Sequence, residues 1–172
     1  MTIIDDVSSD DTFDKINFLI KKYEISKKVT VKKRTRKYGE VENTISEVSS
    51  LKDTDVVVRL DAGDWLTDLG CFHYLNLIYK KYDPAVVWTA HRWSYTDQNI
   101  SREIDYSISL YKQPWRSSHL KTFRVRDFLG LNKKNFLDED GNYIMIACDQ
   151  AIFLPMMERA RINNRPLIFF PR

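Results

Sequence analysis

Carboxylates stand just beyond three apolar runs of this chain. Asp5 and Asp6 follow "TII", Asp61 and Asp64 sit in "LDAGDWL" after "DVVV", and Asp149 follows "YIMIA". Carboxylates do three kinds of work at such places. They ligate hard divalent cations, they accept a proton from an attacking hydroxyl, and they cap helices. Any one station alone reads more readily as a cap. Three at one edge of a parallel sheet favour a site, because ligands of open α/β sheets bind outside the carboxyl ends of the strands.

Other chemistries lack their residues. There is no glycine-rich loop ending in Lys-Ser/Thr, no GxGxxG after a strand and no GxSxG elbow. No histidine pair at i, i+4 and no Cys/His cluster suits zinc. The two cysteines, Cys71 and Cys148, imply no disulfide framework. Cationic candidates for a phosphate-bearing ligand are Arg36, Lys37, Arg116 and His119, with His119 also a possible metal ligand. His73 and His91 read as ordinary helix and strand residues. The cluster "KKVTVKKRTRK" could attract nucleic acid, anionic lipid or a phosphorylated small molecule, or could be a solvated strand edge.

The elements that must position these groups follow from periodicity. "TII" opens as a strand. Phe13, Ile16, Ile20 and Tyr23 predict a helix, with Asp10, Asp11 and Thr12 suited to its start. "KVTVKK" alternates like an exposed strand, and Val41, Ile45 and Val48 mark a second helix. "DVVVRL" reads as a buried strand, Leu69 to Tyr82 as a third helix stopped by Asp83 and Pro84, and "AVVWTAHRW" as a fourth strand. Such alternation predicts an α/β layer structure with a mostly parallel sheet. Residues 93–118 read as an aromatic excursion over the surface, in which Trp93, Tyr95 and Trp115 offer faces that could stack on sugar rings or nucleobases. A short helix in "RVRDFLGL", a turn at "DEDGN", a strand at "YIMIA", a helix through Glu158 kinked or delayed by Pro155, and a last strand at "PLIFF" complete the reading. With 172 residues, no repeat and no linker, one domain spanning 1–172 is expected. The net charge of +3, the acidic start and the lack of a long apolar run point to a cytoplasmic protein without a transmembrane segment.

Four stretches in order then resemble the inverting GT-A glycosyltransferases of family 2. "TIIDDVSSDDT" resembles their strand followed by DDxSxDxT, and "VVVRLDAGDWL" their strand followed by DADDWL. "PWRSSHLKTFR" resembles a segment found in part of the family, and "CDQAIFLPMMERA" the stretch that carries the base. The resemblance implies a Rossmann-like three-layer GT-A domain that moves a sugar from a nucleoside-diphosphate sugar to a hydroxyl acceptor such as a glycan. It implies Asp149 as the catalytic base and Asp5, Asp6 and Asp61 near the nucleotide, with Arg36 and Arg116 as phosphate candidates. A Mn²⁺ or Mg²⁺ site would draw on Asp61, Asp64 and His119. Two departures stand out. Gly63 occupies the position of the family's second metal-binding carboxylate, and the chain opens on the DDxS strand, without the family's first strand-helix unit. The expectation is thus an N-terminally truncated GT-A domain whose sheet a second chain or self-association completes. The alternatives are a non-catalytic or partial subunit that binds nucleotide sugar or a partner, and a transferase acting on modified nucleic acid.

Overall fold

The computed structural model describes residues 1–171. Six strands form two sheets. β1 (Thr2–Asp5) and β2 (Thr30–Lys33) pair in parallel, with α1 (Thr12–Lys22) between them in the chain. α2 (Gly39–Val48) leads to β3 (Val56–Arg59), α3 (Cys71–Tyr82) to β4 (Val86–Thr89). β5 (Lys121–Arg124), the short α4 (Val125–Leu129), α5 (Cys148–Ile162) and β6 (Leu167–Phe170) complete the chain.

The larger sheet has the order β3-β5-β4-β6. β5 is antiparallel to both β3 and β4, while β6 is parallel to β4. β3, β4 and β6 therefore share one direction and β5 alone is reversed. This is the expected mixed α/β architecture with a mostly parallel sheet.

β4 is buried along its whole length, and its alternating side chains feed two cores. Val86 and Trp88 join Phe123, Ile152, Phe153, Met156 and Met157 on the α5 side. Val87 joins Leu75 and Tyr79 on the α3 side. Leu75 and Tyr79 stand four residues apart, on one stripe of α3. Burying a large apolar side chain contributes roughly 1.5–3 kcal/mol, so these two layers dominate the cohesion of the sheet. Two polar groups of these layers are paired: Trp88 Nε1 donates to the Arg102 carbonyl at 2.9 Å, and Tyr79 Oη lies 2.9 Å from Thr122 Oγ1. α3 ends at Asp83, which adopts a left-handed conformation, and Pro84 cannot extend the helix.

Three expectations need correction. "YIMIA" is no strand, because it meets only an isolated bridge between Leu137 and Tyr143; Ile146 is exposed. Pro155 does not delay α5, which already begins at Cys148; the buried Ile152, Phe153, Met156 and Met157 hold the helix on both sides of the missing N–H. The excursion at 93–118 is not all surface. Ile104 and Leu110 enter the core, and the Leu110 amide donates to Glu158 at 2.9 Å. Both cysteines are free. No helix among the described residues is long and apolar enough to cross a membrane.

Candidate functional site

Strand register brings the charges together. Arg59 ends β3, and its Cα partner across the sheet is Lys121, the first residue of β5. Paired residues point to the same face. Because β5 is reversed, its beginning lies at the same edge as the ends of β3 and β4. α5 packs on that face and carries Asp149 in its first turn. The helix N-terminus supplies partial positive charge to this carboxylate.

Asp149 is held by three cations. Arg59 Nη1 is 3.0 Å from Oδ1, His119 Nε2 is 3.4 Å from Oδ2, and Lys121 Nζ pairs with Oδ2. Lys121 is fully buried, with its ammonium over the rings of Phe153 and Trp115 at 4.7 and 5.4 Å. Burial would raise the Asp149 pKa, but His119, Lys121 and Arg59 together hold it well below the usual carboxylate range. Burial lowers the Lys121 pKa to about 8, against the pull of Asp149. Burial acts against the charged form of His119 too, yet hydrogen bonds to Asp149 and Asp61 prevail and raise it to about 9.

The turn after β3 supplies the other carboxylates. Asp64 N donates to the Asp61 carbonyl at 3.1 Å, which closes a tight turn around Ala62 and Gly63. Asp61 Oδ2 lies 3.1 Å from His119 Nε2, and Asp61 Oδ1 lies 3.3 Å from Arg59. The hydrogen bond from His119 holds the Asp61 pKa below its ordinary value. Asp64 meets His91 Nε2 at 3.5 Å, and His91 Nδ1 lies 2.7 Å from Ser118 Oγ. His91 is therefore no ordinary strand residue: it lies just past the end of β4, with its ring 5.5 Å from that of His119.

Asp61, Asp64 and His119 each present one ligand atom, all within 4.8 Å of one another. Two carboxylate oxygens and, once His119 releases its proton, one imidazole nitrogen suit a divalent cation such as Mn²⁺ or Mg²⁺. Buried polar atoms without aligned hydrogen bonds also mark the cluster: Arg59 Nη1, Lys121 Nζ, Asp149 Oδ1, His119 Nδ1 and Glu40 Oε1. The ion pairs there are close in distance but leave hydrogen-bonding capacity unused.

The remaining sequence candidates lie elsewhere or act indirectly. Asp5 is buried at the end of β1 and accepts from the Ser8 amide at 3.1 Å. Asp6 accepts from the Tyr38 and Gly39 amides at 2.9 and 2.8 Å, which anchors the start of α2. Gly39 has a φ of +74°, a left-handed conformation that disfavours a side chain there. The next residue, Glu40, pairs with Arg59, so Asp6 supports the cluster through α2. Arg36 is paired with Glu42 at 2.6 Å and stacks on Tyr38, and Arg116 donates to the Glu103 carbonyl at 3.3 Å. No ion pair or hydrogen bond among the described residues links Asp5, Asp6, Arg36 or Arg116 directly to the Asp61–Asp149 cluster. Trp93 and Tyr95 are exposed, whereas Trp115 is partly buried against the core. Arg59, Lys121, His91 and Glu40 are the members that sequence reading misses. The available signal is a charge inside an apolar strand, in "VVVRL" and "HLKTF".

No family model matches the chain, and no curated protein matches it. Among solved structures it is similar to TarS of S. aureus, residues 1–349, with a TM-score of 0.61 and 16% identity. The likeness covers 99% of this chain and 50% of that one, so the chain spans half the length of the structure it matches. It shows the fold alone, a GT-A-like α/β architecture with a mostly parallel sheet.

Proposed function

We propose that the chain forms one glycosyltransferase-like domain that moves a sugar from a nucleoside-diphosphate sugar to a hydroxyl acceptor with inversion. The observation that carries this reading is the convergence of Asp61, Asp64, His119 and Asp149 at the strand ends of such a fold. Asp149 is the base. Its low pKa keeps it ionised throughout the neutral range, and the cations that lower it also weaken it as a base. The acceptor oxygen attacks the anomeric carbon as its proton passes to Asp149, and the bond from that carbon to the leaving phosphate oxygen breaks. A weakly basic carboxylate takes the proton late, as the new bond forms. Arg59 and Lys121 hold the carboxylate in place and offer positive charge beside the departing diphosphate.

Asp61, Asp64 and His119 would hold Mn²⁺ or Mg²⁺, which supplies charge neutralisation for a diphosphate leaving group. Asp5 and Asp6 are assigned to the nucleoside and Arg36 and Arg116 to phosphate. Trp93, Tyr95 and Trp115 are assigned to the acceptor. A second chain or a second copy is assigned to the open edges of β1 and β3, each of which is paired on one side only. Asp149→Asn is expected to abolish transfer while leaving nucleotide binding within about twofold. Transfer at the normal rate by that variant would show the base to lie elsewhere.

Gly63 favours a second reading, a non-catalytic subunit that binds nucleotide sugar, because it adds no carboxylate to the Asp61 turn. The measurement that separates the two is product formation by the wild-type chain in the presence of Mn²⁺. A transferase acting on nucleic acid would draw on the basic cluster, where Lys32 and Arg34 pair with Glu47 and Arg36 pairs with Glu42, which offsets two of its seven positive charges.

A further inference from the structure

A cleft of about 360 Å³ opens at the opposite end of the sheet, among Arg126, Asp127, Arg159, Asn163 and Arg165. The strand starts and the end of α5 place it there. Val56 pairs with Arg124, and Val86 pairs with both Phe123 and Leu167, so β3, β4 and β6 begin where β5 ends. The 15 residues of α5 separate this end from Asp149 by about 20 Å.

Charge at this end is unbalanced. Asp83 receives Arg124 at 2.9 Å and Arg165 at 3.1 Å, and also pairs with Arg126. Asp127 receives Arg165 at 3.0 Å. Two carboxylates thus face four guanidinium groups once Arg159 is included. Arg161, the neighbour on α5, is neutralised by Glu158 at 2.8 Å. Arg159 is not: its side chain has no hydrogen bond or ion pair among the described residues. The Asn163 amide side chain has none either. The Arg159 guanidinium lies directly over Gly130, where even a methyl group would collide with it. The last turn of α5 exposes carbonyls of partial negative charge, which explains why arginines collect here but leaves a fork of free N–H donors facing the cleft.

We propose that this cleft is a binding site for a phosphate group, with Arg159 as its principal ligand and Arg126, Arg165 and Asn163 around it. An excess of two positive charges matches a phosphate dianion, and a planar guanidinium fork matches two phosphate oxygens. The site is separate from the proposed transfer chemistry and does not depend on it.

The test is a titration of the full chain with inorganic phosphate at constant ionic strength, read from the arginine Nε–H resonances. The Arg159 resonance shifts saturably, with half-saturation on the order of millimolar. Arg159→Gln and Gly130→Ala each weaken binding at least fivefold, while Asp149→Asn leaves it unchanged. Gly130 has a φ of −75°, so alanine is tolerated by the backbone and acts only by displacing the guanidinium. A parallel titration with diethyl phosphate identifies the source. Comparable binding assigns the site to a phosphodiester chain, and binding of inorganic phosphate alone assigns it to a free or terminal phosphate. A shift that does not saturate, equal binding by acetate, or full affinity in both variants overturns the proposal.

Discussion

The two ends of the sheet handle charge differently. At the starts of β4 and β6, Asp83 and Asp127 take aligned hydrogen bonds from arginines that reach solvent. At the ends of β3 and β4, Asp149 gathers Arg59, His119 and a fully buried Lys121, and several of the polar atoms lack aligned partners. The first arrangement clamps strand starts and helix termini together. The second keeps charges crowded and incompletely satisfied, which costs stability and fits the ligand site proposed there.

The largest expected difference lies in removing one cation from each end. Lys121→Met leaves Asp149 short of a partner in a partly buried setting and is expected to cost about 3 kcal/mol in denaturant unfolding. Arg165→Met leaves Asp83 with two other arginines and is expected to cost about 1 kcal/mol. Equal costs would erase the contrast.

Next in size is the pH dependence of the cluster. The folded His119 pKa of about 9 exceeds its ordinary value of 6.5. Its protonation therefore stabilises the fold fully below pH 6.5, and that contribution is lost as pH rises through 9. Lys121, lowered from 10.5 to about 8, works in the opposite sense: its penalty is relieved as pH rises from about 8 to 10.5. Melting temperatures from pH 6 to 9 should show wild type losing more stability than His119→Gln. Parallel curves would remove His119 from the ion-pair cluster.

The smallest effect is expected at Gly63. A side chain built there meets nothing within 4 Å, so Gly63→Asp should change stability by less than about 0.5 kcal/mol. A carboxylate that joins the Asp61 turn would tighten Mn²⁺ binding severalfold. Unchanged Mn²⁺ affinity would mean that position 63 points away from the ligand atoms.

Much of this was legible in the residues. From β1 to β4 the chain alternates cleanly between strand and helix periods, and Asp61, Asp64, His119 and Asp149 converge as one group. The illegible part has one geometric cause. Sequence reasoning looks for ligands at the carboxyl ends of strands, but Lys121 begins a strand, and only the reversal of β5 brings it to that edge. His91 hides for a related reason: β4 stops at Thr89, so what reads as strand is already loop. "YIMIA" has strand composition but finds no edge with which to extend a ladder. Asp6 also takes two backbone amides of α2, a role that its place after a strand does not announce.

The most direct test of the account is calorimetric titration of the chain with UDP, GDP and their sugar conjugates, with and without Mn²⁺. The account predicts that one nucleotide sugar binds, that Mn²⁺ strengthens its binding at least tenfold, and that Asp61→Asn removes the Mn²⁺ effect. A folded chain that binds none of them in either condition would contradict the assignment of the Asp61–Asp149 cluster.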